Sequence, residues 1–368
     1  MPRALLSLSL LLLASSACRT TDPVHIAGEF DYVGSSTVGI FIEQANLALP
    51  ELTIRMDVEP ESDGGERAIL AGTTDLAGLA RKPDADVLAA GIAATQIGRD
   101  ALAVIVPDSL PARGVTREQL RAIFTGEMTN WSALDGPDLE IHPLIAGPAS
   151  ATHGVFAGLV LDGAEYEGCE VIEVDSDIPT RVAGTDGAIG VISFAFLDAS
   201  AGIRALAVDG ARPSVSDFSY PIARPLYLLW RPGQPAVDQF VAWAVSADGQ
   251  AIVQRNFAGI SVVGSAAARP GEVRSVGTLV VNTETFQVND GNLYFYPHRP
   301  YEILREDGRF VRRVRNHSGI NDERAARVHL APGTYLIRTE TASGRKLEFY
   351  ATIEAGRTTV LEAQEGSR

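Results

Sequence analysis

From residue 29 to about residue 264, short apolar runs alternate with stretches whose apolar positions recur every three to four residues. The runs at 30–33, 52–58, 76–79, 101–106, 141–146, 171–174 and 188–194 predict strands. The stretches at 37–49, 65–71, 117–125, 151–161 and 237–256 predict helices. Such alternation packs helices onto mostly parallel sheets, and 368 residues exceed what one hydrophobic core sustains. The expectation is an α/β body of two lobes, the first made of 28–106 and 226–264, the second of 107–225. Two extended apolar segments rich in bounding prolines, 101–107 and 220–230, are the expected crossings between them.

Beyond 264 the pattern changes. Residues 265–275, SAAARPGEVRS, read as a linker. Then TLVVN, NLYFYP, YEILR, FVRRV, ARVHL, GTYLIRTE, KLEFYATI and TTVLE follow one another between turn residues such as Asn289-Asp290-Gly291 and Pro332-Gly333. This spacing predicts a small all-β sandwich over 276–368, expected to fold as its own unit with a partner the sequence does not identify. Its charge is nearly balanced, 13 Lys and Arg against 12 Asp and Glu, which leaves 18 against 34 before it and a net charge of -15 overall. An acidic body argues against a nucleic-acid partner. A small anion remains compatible with it, because amide dipoles rather than net charge can hold one.

The N-terminus carries Arg3, an apolar run from Ala4 to Ala14 and small residues up to Cys18. It reads as a secretory signal over 1–18. Its Ser16-Ala17-Cys18 end resembles a bacterial lipobox, which implies lipidation of Cys18 and a membrane anchor, although Ser15 stands where leucine is usual. No later apolar run is long enough to span a bilayer. Cys169 then has no cysteine partner. The six histidines have no ligand-like spacing, so no metal or other cofactor is expected. Ser150 and His153 lie three apart at a helix start without an identifiable orienting carboxylate, and G-x-S-x-G is absent, so no enzyme is expected.

Three helix starts are candidate anion seats, since helix N-termini present free amides and hydroxyls add donors without charge. They are Ser36-Thr37-Val38, Ser62-Asp63 and Ser150-Ala151-Thr152. Each reads equally as a plain helix cap. The stretch from Arg121 to Asp138, RAIFTGEMTNWSALDGPD, decides between these readings: it ends a helix at Gly126 and turns a tight corner at Trp131. This segment resembles a signature of the phosphate-binding proteins that serve bacterial high-affinity phosphate ABC importers. ERAILAGTTDLAGLAR, GAIGVISFAFL and YPIARPLYLLW extend the resemblance, in order, across 28–264.

The resemblance implies a type II periplasmic-binding-protein fold, with the β-sandwich appended. It implies capture of inorganic phosphate, or a related tetrahedral oxyanion, in a cleft between the lobes, for delivery to permease subunits on the periplasmic face of a membrane. Ser36, Thr37, Val38, Ser62, Ser150, Ala151 and Thr152 match the ligand loops. Two positions depart from the pattern. Ala146 stands where the family usually has an anion-binding arginine, and Ala80 and Arg81 follow the strand where some members carry an aspartate that accepts the phosphate proton. Arg81 and Asp63 are the candidates to replace the missing charge and the missing acceptor. The competing expectation is a non-transport sensor or surface interaction protein on the same scaffold. The PGTYLIR and TTVLE runs of the final module resemble transthyretin-like and carboxypeptidase-regulatory modules.

Overall fold

A computed structural model describes residues 25–173, 175–197, 202–214, 219–260, 277–290, 293–317, 323–330 and 332–366. The signal-like segment, Cys18 and the 265–275 linker lie outside them. In the first lobe β1 (Gly28–Gly34), α1 (Ser36–Ala48), β2 (Leu52–Asp57), α2 (Glu61–Ala71) and β3 (Leu76–Leu79) form two βαβ units. The pattern demands this: β1 alternates buried and partly exposed residues, β3 is buried throughout, and β1 pairs in parallel with both β2 and β3.

The 15-residue β4 (Ala93–Pro107) joins the lobes. Its first half pairs antiparallel with the returning strand Ala223–Trp230, which also borders β3. From Leu102 onward it pairs instead with Ala188–Ser193 of the second lobe. That strand lies parallel to His142–Ala146, and His142–Ala146 lies parallel to Glu170–Ile172. The second crossing lies beside the first, where the Leu102 amide donates to the Ile222 carbonyl at 2.8 Å. Both strands that link the lobes therefore pass through one narrow waist.

The second-lobe helix Arg117–Phe124 starts with a capping box between Thr116 and Gln119 and buries Leu120, Ile123 and Phe124. The corner after it is fixed by Trp131, which is fully buried and donates its indole N–H to the Gly187 carbonyl at 2.9 Å. Two predicted helices are interrupted. The one expected over 237–256 is two, Pro235–Ala244 and Ala247–Val253, because Ser246 donates its hydroxyl back to Trp243 and caps the second. The one expected over 151–161 is α-helical only through Phe156 and then widens into a π turn. Helix α2 begins at Glu61, four residues earlier than its apolar period suggests, so Ser62 and Asp63 belong to its first turn. Gly65 permits this start, since a Cβ there would lie 2.8 Å from both the Gly34 Cα and the Val33 carbonyl.

Among the described C-terminal strands two sheets enclose a core of Leu279, Val281, Ile303, Val328, Leu330, Ile337 and Ile353, and Val288–Asp290 pairs with Leu293–Phe295 as a separate two-stranded sheet. The sandwich is fastened to the first lobe. Its strand Phe310–Val314 meets the edge of β2 at Arg312 and Met56, continuing the lobe's sheet. Arg312 pairs with Glu43 at 3.0 Å and Arg315 with Glu59 at 3.2 Å. Arg305 and Arg309 donate to the backbone carbonyls of Asn46 and Pro50. Edge pairing is thus also what hides the β2 backbone.

Candidate functional site

The waist delivers one charged side chain to the cleft floor. Arg224 lies on the returning strand among apolar neighbours, with its side chain 1% exposed. Its Nε donates to Asp100 Oδ2 at 3.0 Å, and Asp100 is equally buried on the paired strand β4. Its two remaining nitrogens reach opposite lobes: Nη2 donates to Thr37 Oγ1 and Nη1 to Thr152 Oγ1, each at 2.9 Å. A guanidinium cannot lose its charge here, so a permanent cation sits where both lobes meet. Ser193 Oγ donates to the other Asp100 oxygen at 3.0 Å and completes the support.

On the first lobe, Ser35 caps α1 and takes the Val38 amide at 3.5 Å. The Ser36 amide donates to Glu61 Oε2 at 3.1 Å, while the Ser36 hydroxyl is shielded and makes no hydrogen bond. Ser62 is fully buried and accepts the Ala80 amide at 3.2 Å. On the second lobe, Ser150 caps its helix by accepting the Thr152 amide at 3.1 Å. Ser150 and Thr152 then donate their hydroxyls to the same oxygen, Asp175 Oδ2, at 2.8 and 2.7 Å. Ala151 is buried beside them. The lobes touch directly where the Asp63 amide donates to the Ala149 carbonyl at 3.4 Å.

Thr37, Thr152 and Ser150 of the sequence candidates therefore converge with Ser36 around Arg224 and two carboxylates. Ser62 stands behind them, holding the end of β3. Asp63 and Arg81 meet each other instead of a shared cleft position: Arg81 Nη2 donates to Asp63 Oδ1 at 3.0 Å and also to Glu66, and Nη1 reaches Asp84 at 3.4 Å. Three acidic partners, Asp63, Glu66 and Asp84, surround that arginine. The buried cation beside these seats stands on a different strand from Ala146, as Arg224. A sequence signal for it existed: an arginine inside YPIARPLYLLW and an aspartate before ALAVIV are charges within runs otherwise built for burial.

Glu61 and Asp175 carried no such signal. Both are nearly fully buried. Burial raises the Glu61 carboxyl well above its usual range and the Asp175 charge raises it further, against the Ser36 hydrogen bond and the Arg224 charge. Burial likewise raises Asp175, opposed by its Thr152 and Ser150 hydrogen bonds and by Arg224. Against one guanidinium stand three buried carboxyls, Asp100, Asp175 and Glu61. Burial disfavours the charged form of all three.

Two α/β lobes on a double-stranded waist, with a hydroxyl from each lobe hydrogen-bonded to one buried guanidinium, form an architecture whose cleft can close on a small ligand. A model described as the PBP superfamily domain matches residues 25–248, and the chain belongs to that superfamily. The phosphate-binding protein PstS of Bacillus subtilis (strain 168) is 34% identical over 125 residues, which are 33% of this chain and 40% of the relative. The match thus spans less than half the length of that relative. The phosphate-binding protein PstS of Borreliella burgdorferi is 23% identical over 246 residues, 62% of this chain and 88% of the relative. Among solved structures, a putative phosphate ABC transporter substrate-binding protein with bound phosphate from Clostridium perfringens aligns with a TM-score of 0.59 at 24% identity. The alignment covers 64% of this chain and 100% of that one. An ABC-type phosphate transport receptor from Vibrio cholerae aligns with a TM-score of 0.50 at 22% identity, over 61% and 96% of the two chains. The superfamily model ends at residue 248, before the C-terminal sandwich.

Proposed function

We propose that the protein is an exported solute-binding protein that takes inorganic phosphate, or a related tetrahedral oxyanion, into the interlobe cleft and presents it to the permease subunits of an ABC importer. The observation that carries this reading is the buried Arg224 donating to a threonine of each lobe. Cleft closure around an oxyanion would let that cation, the Ser36 and Thr37 end of α1 and the Ser150 to Thr152 turn act on one ligand. Ser62 supports this seat from behind, and Val38 and Ala151 shape it. No catalytic group is required, since transport energy comes from the importer. Export follows from the signal-like leader, and a lipid on Cys18 would hold the protein at the membrane surface; among the described residues no helix is long and apolar enough to cross a membrane.

A second reading, a non-transport sensor or surface interaction protein, is favoured by the sandwich. It is fastened to the first lobe, and its strand Arg327–Leu330 also touches the Asp175–Asp177 turn of the second. Titration calorimetry with phosphate, sulfate and arsenate tests the binding that both readings share. Phosphate uptake by a strain lacking this protein separates them, with uptake reduced under the transport reading and unchanged under the sensor reading.

A further inference from the structure

Three of the hydrogen-bond donors that would greet an oxyanion already end on a carboxyl oxygen, and the protein itself supplies it. The Ser36 amide at the start of α1 ends on Glu61, while the Ser150 and Thr152 hydroxyls end together on one oxygen of Asp175. The two carboxylates come from opposite lobes. Glu61 is moreover held at φ 53°, a left-handed conformation that a non-glycine residue adopts only under strain, and it is only 4% exposed there. An ordinary surface glutamate would relax outward. Here the surroundings keep it turned inward, onto the helix terminus.

We propose that Glu61 and Asp175 are an internal competitor: their carboxyl oxygens occupy the oxyanion's places, Glu61 on the first lobe's seat and Asp175 on the second's, so that a solute enters only by displacing them. This rests on the oxyanion-binding reading and adds the residues that set its affinity. Displacement has room to occur. Glu61 and Ser36 border a cavity of ≈ 200 Å³ whose far wall is the sandwich, including Arg312, Arg315 and Arg327. A glutamate swung out of the seat would enter that cavity, which Glu43, Glu59, Glu173 and Asp177 line together with the arginines and where Arg312 and Arg315 already pair with Glu43 and Glu59.

A competitor built into the chain lowers apparent affinity in proportion to the fraction of molecules it occupies. Replacing Glu61→Gln with Asp175→Asn keeps the shapes and removes the charges, while Glu61→Gly also releases the strained backbone. Calorimetric titration with phosphate applies to the wild type and to each variant. The proposal expects phosphate affinity raised on the order of tenfold or more in the variants. If the wild type binds phosphate and the variants bind it no more tightly, the internal competitor is refuted and the phosphate reading stands. If neither the wild type nor any variant binds phosphate, the phosphate reading falls and the competitor with it.

Discussion

Arg224→Met tests how the waist and the seat depend on one buried charge. The substitution leaves Asp100, with its side chain 1% exposed, supported only by the Ser193 hydroxyl and the local backbone. Removing one partner of a buried pair costs about 3–5 kcal/mol, most of it the burden of the charge left behind. At roughly 2–4 °C per kcal/mol for a domain of this size, the lobes should melt about 6–20 °C lower. Scanning calorimetry reads this directly. The double variant Arg224→Met with Asp100→Leu should melt above the single one, because a well-packed apolar pair can replace a buried ion pair at little cost. Neither variant should bind phosphate, since both lack the cation that joins Thr37 to Thr152. A single-variant shift below about 2 °C would refute the buried-pair reasoning.

Two further outcomes follow from buried charge. Glu43 is raised from 4.5 to about 7 by burial, which outweighs the attraction of Arg312, and Glu61 and Asp175 are raised as well. The folded state then holds more protons than the unfolded chain, so stability is fullest below the ordinary carboxylate range and declines as pH rises through about 7. Melting temperatures should fall between pH 5.5 and pH 8.5, and a flat or rising profile would contradict the assignment. Arg312→Met removes a charged hydrogen bond that fastens the sandwich to α1 and should weaken that docking by about 1.5–3 kcal/mol. Limited proteolysis should then separate sandwich from lobes faster than in the wild type, and equal rates would place the attachment elsewhere.

What the sequence showed and what it hid divide along contact distance. The α/β order, the capped helix after Thr116 and the Trp131 corner were legible because each is fixed by apolar spacing or by residues a few positions apart. Helix α2 was read too short because its first turn, Glu61 to Gly64, offers no apolar period, only a close approach that glycine allows. The central pair escaped because Arg224 and Asp100 lie 124 positions apart. Glu61 and Asp175 escaped for another reason: in a body with 34 acidic residues, a carboxylate reads as solvated surface unless its burial is known. The docking of the sandwich was likewise out of reach, since Arg312 and Glu43 are 269 positions apart and the linker composition pointed to an independent unit.

The most direct test of the central claim is calorimetric titration of the wild-type protein with inorganic phosphate, alongside the Arg224→Met variant. The account predicts one phosphate per chain in the wild type, with affinity held down by the Glu61 and Asp175 carboxylates, and no binding in the variant. No heat and no thermal stabilisation of the wild type at millimolar phosphate, or equal binding by the Arg224→Met variant, would contradict it.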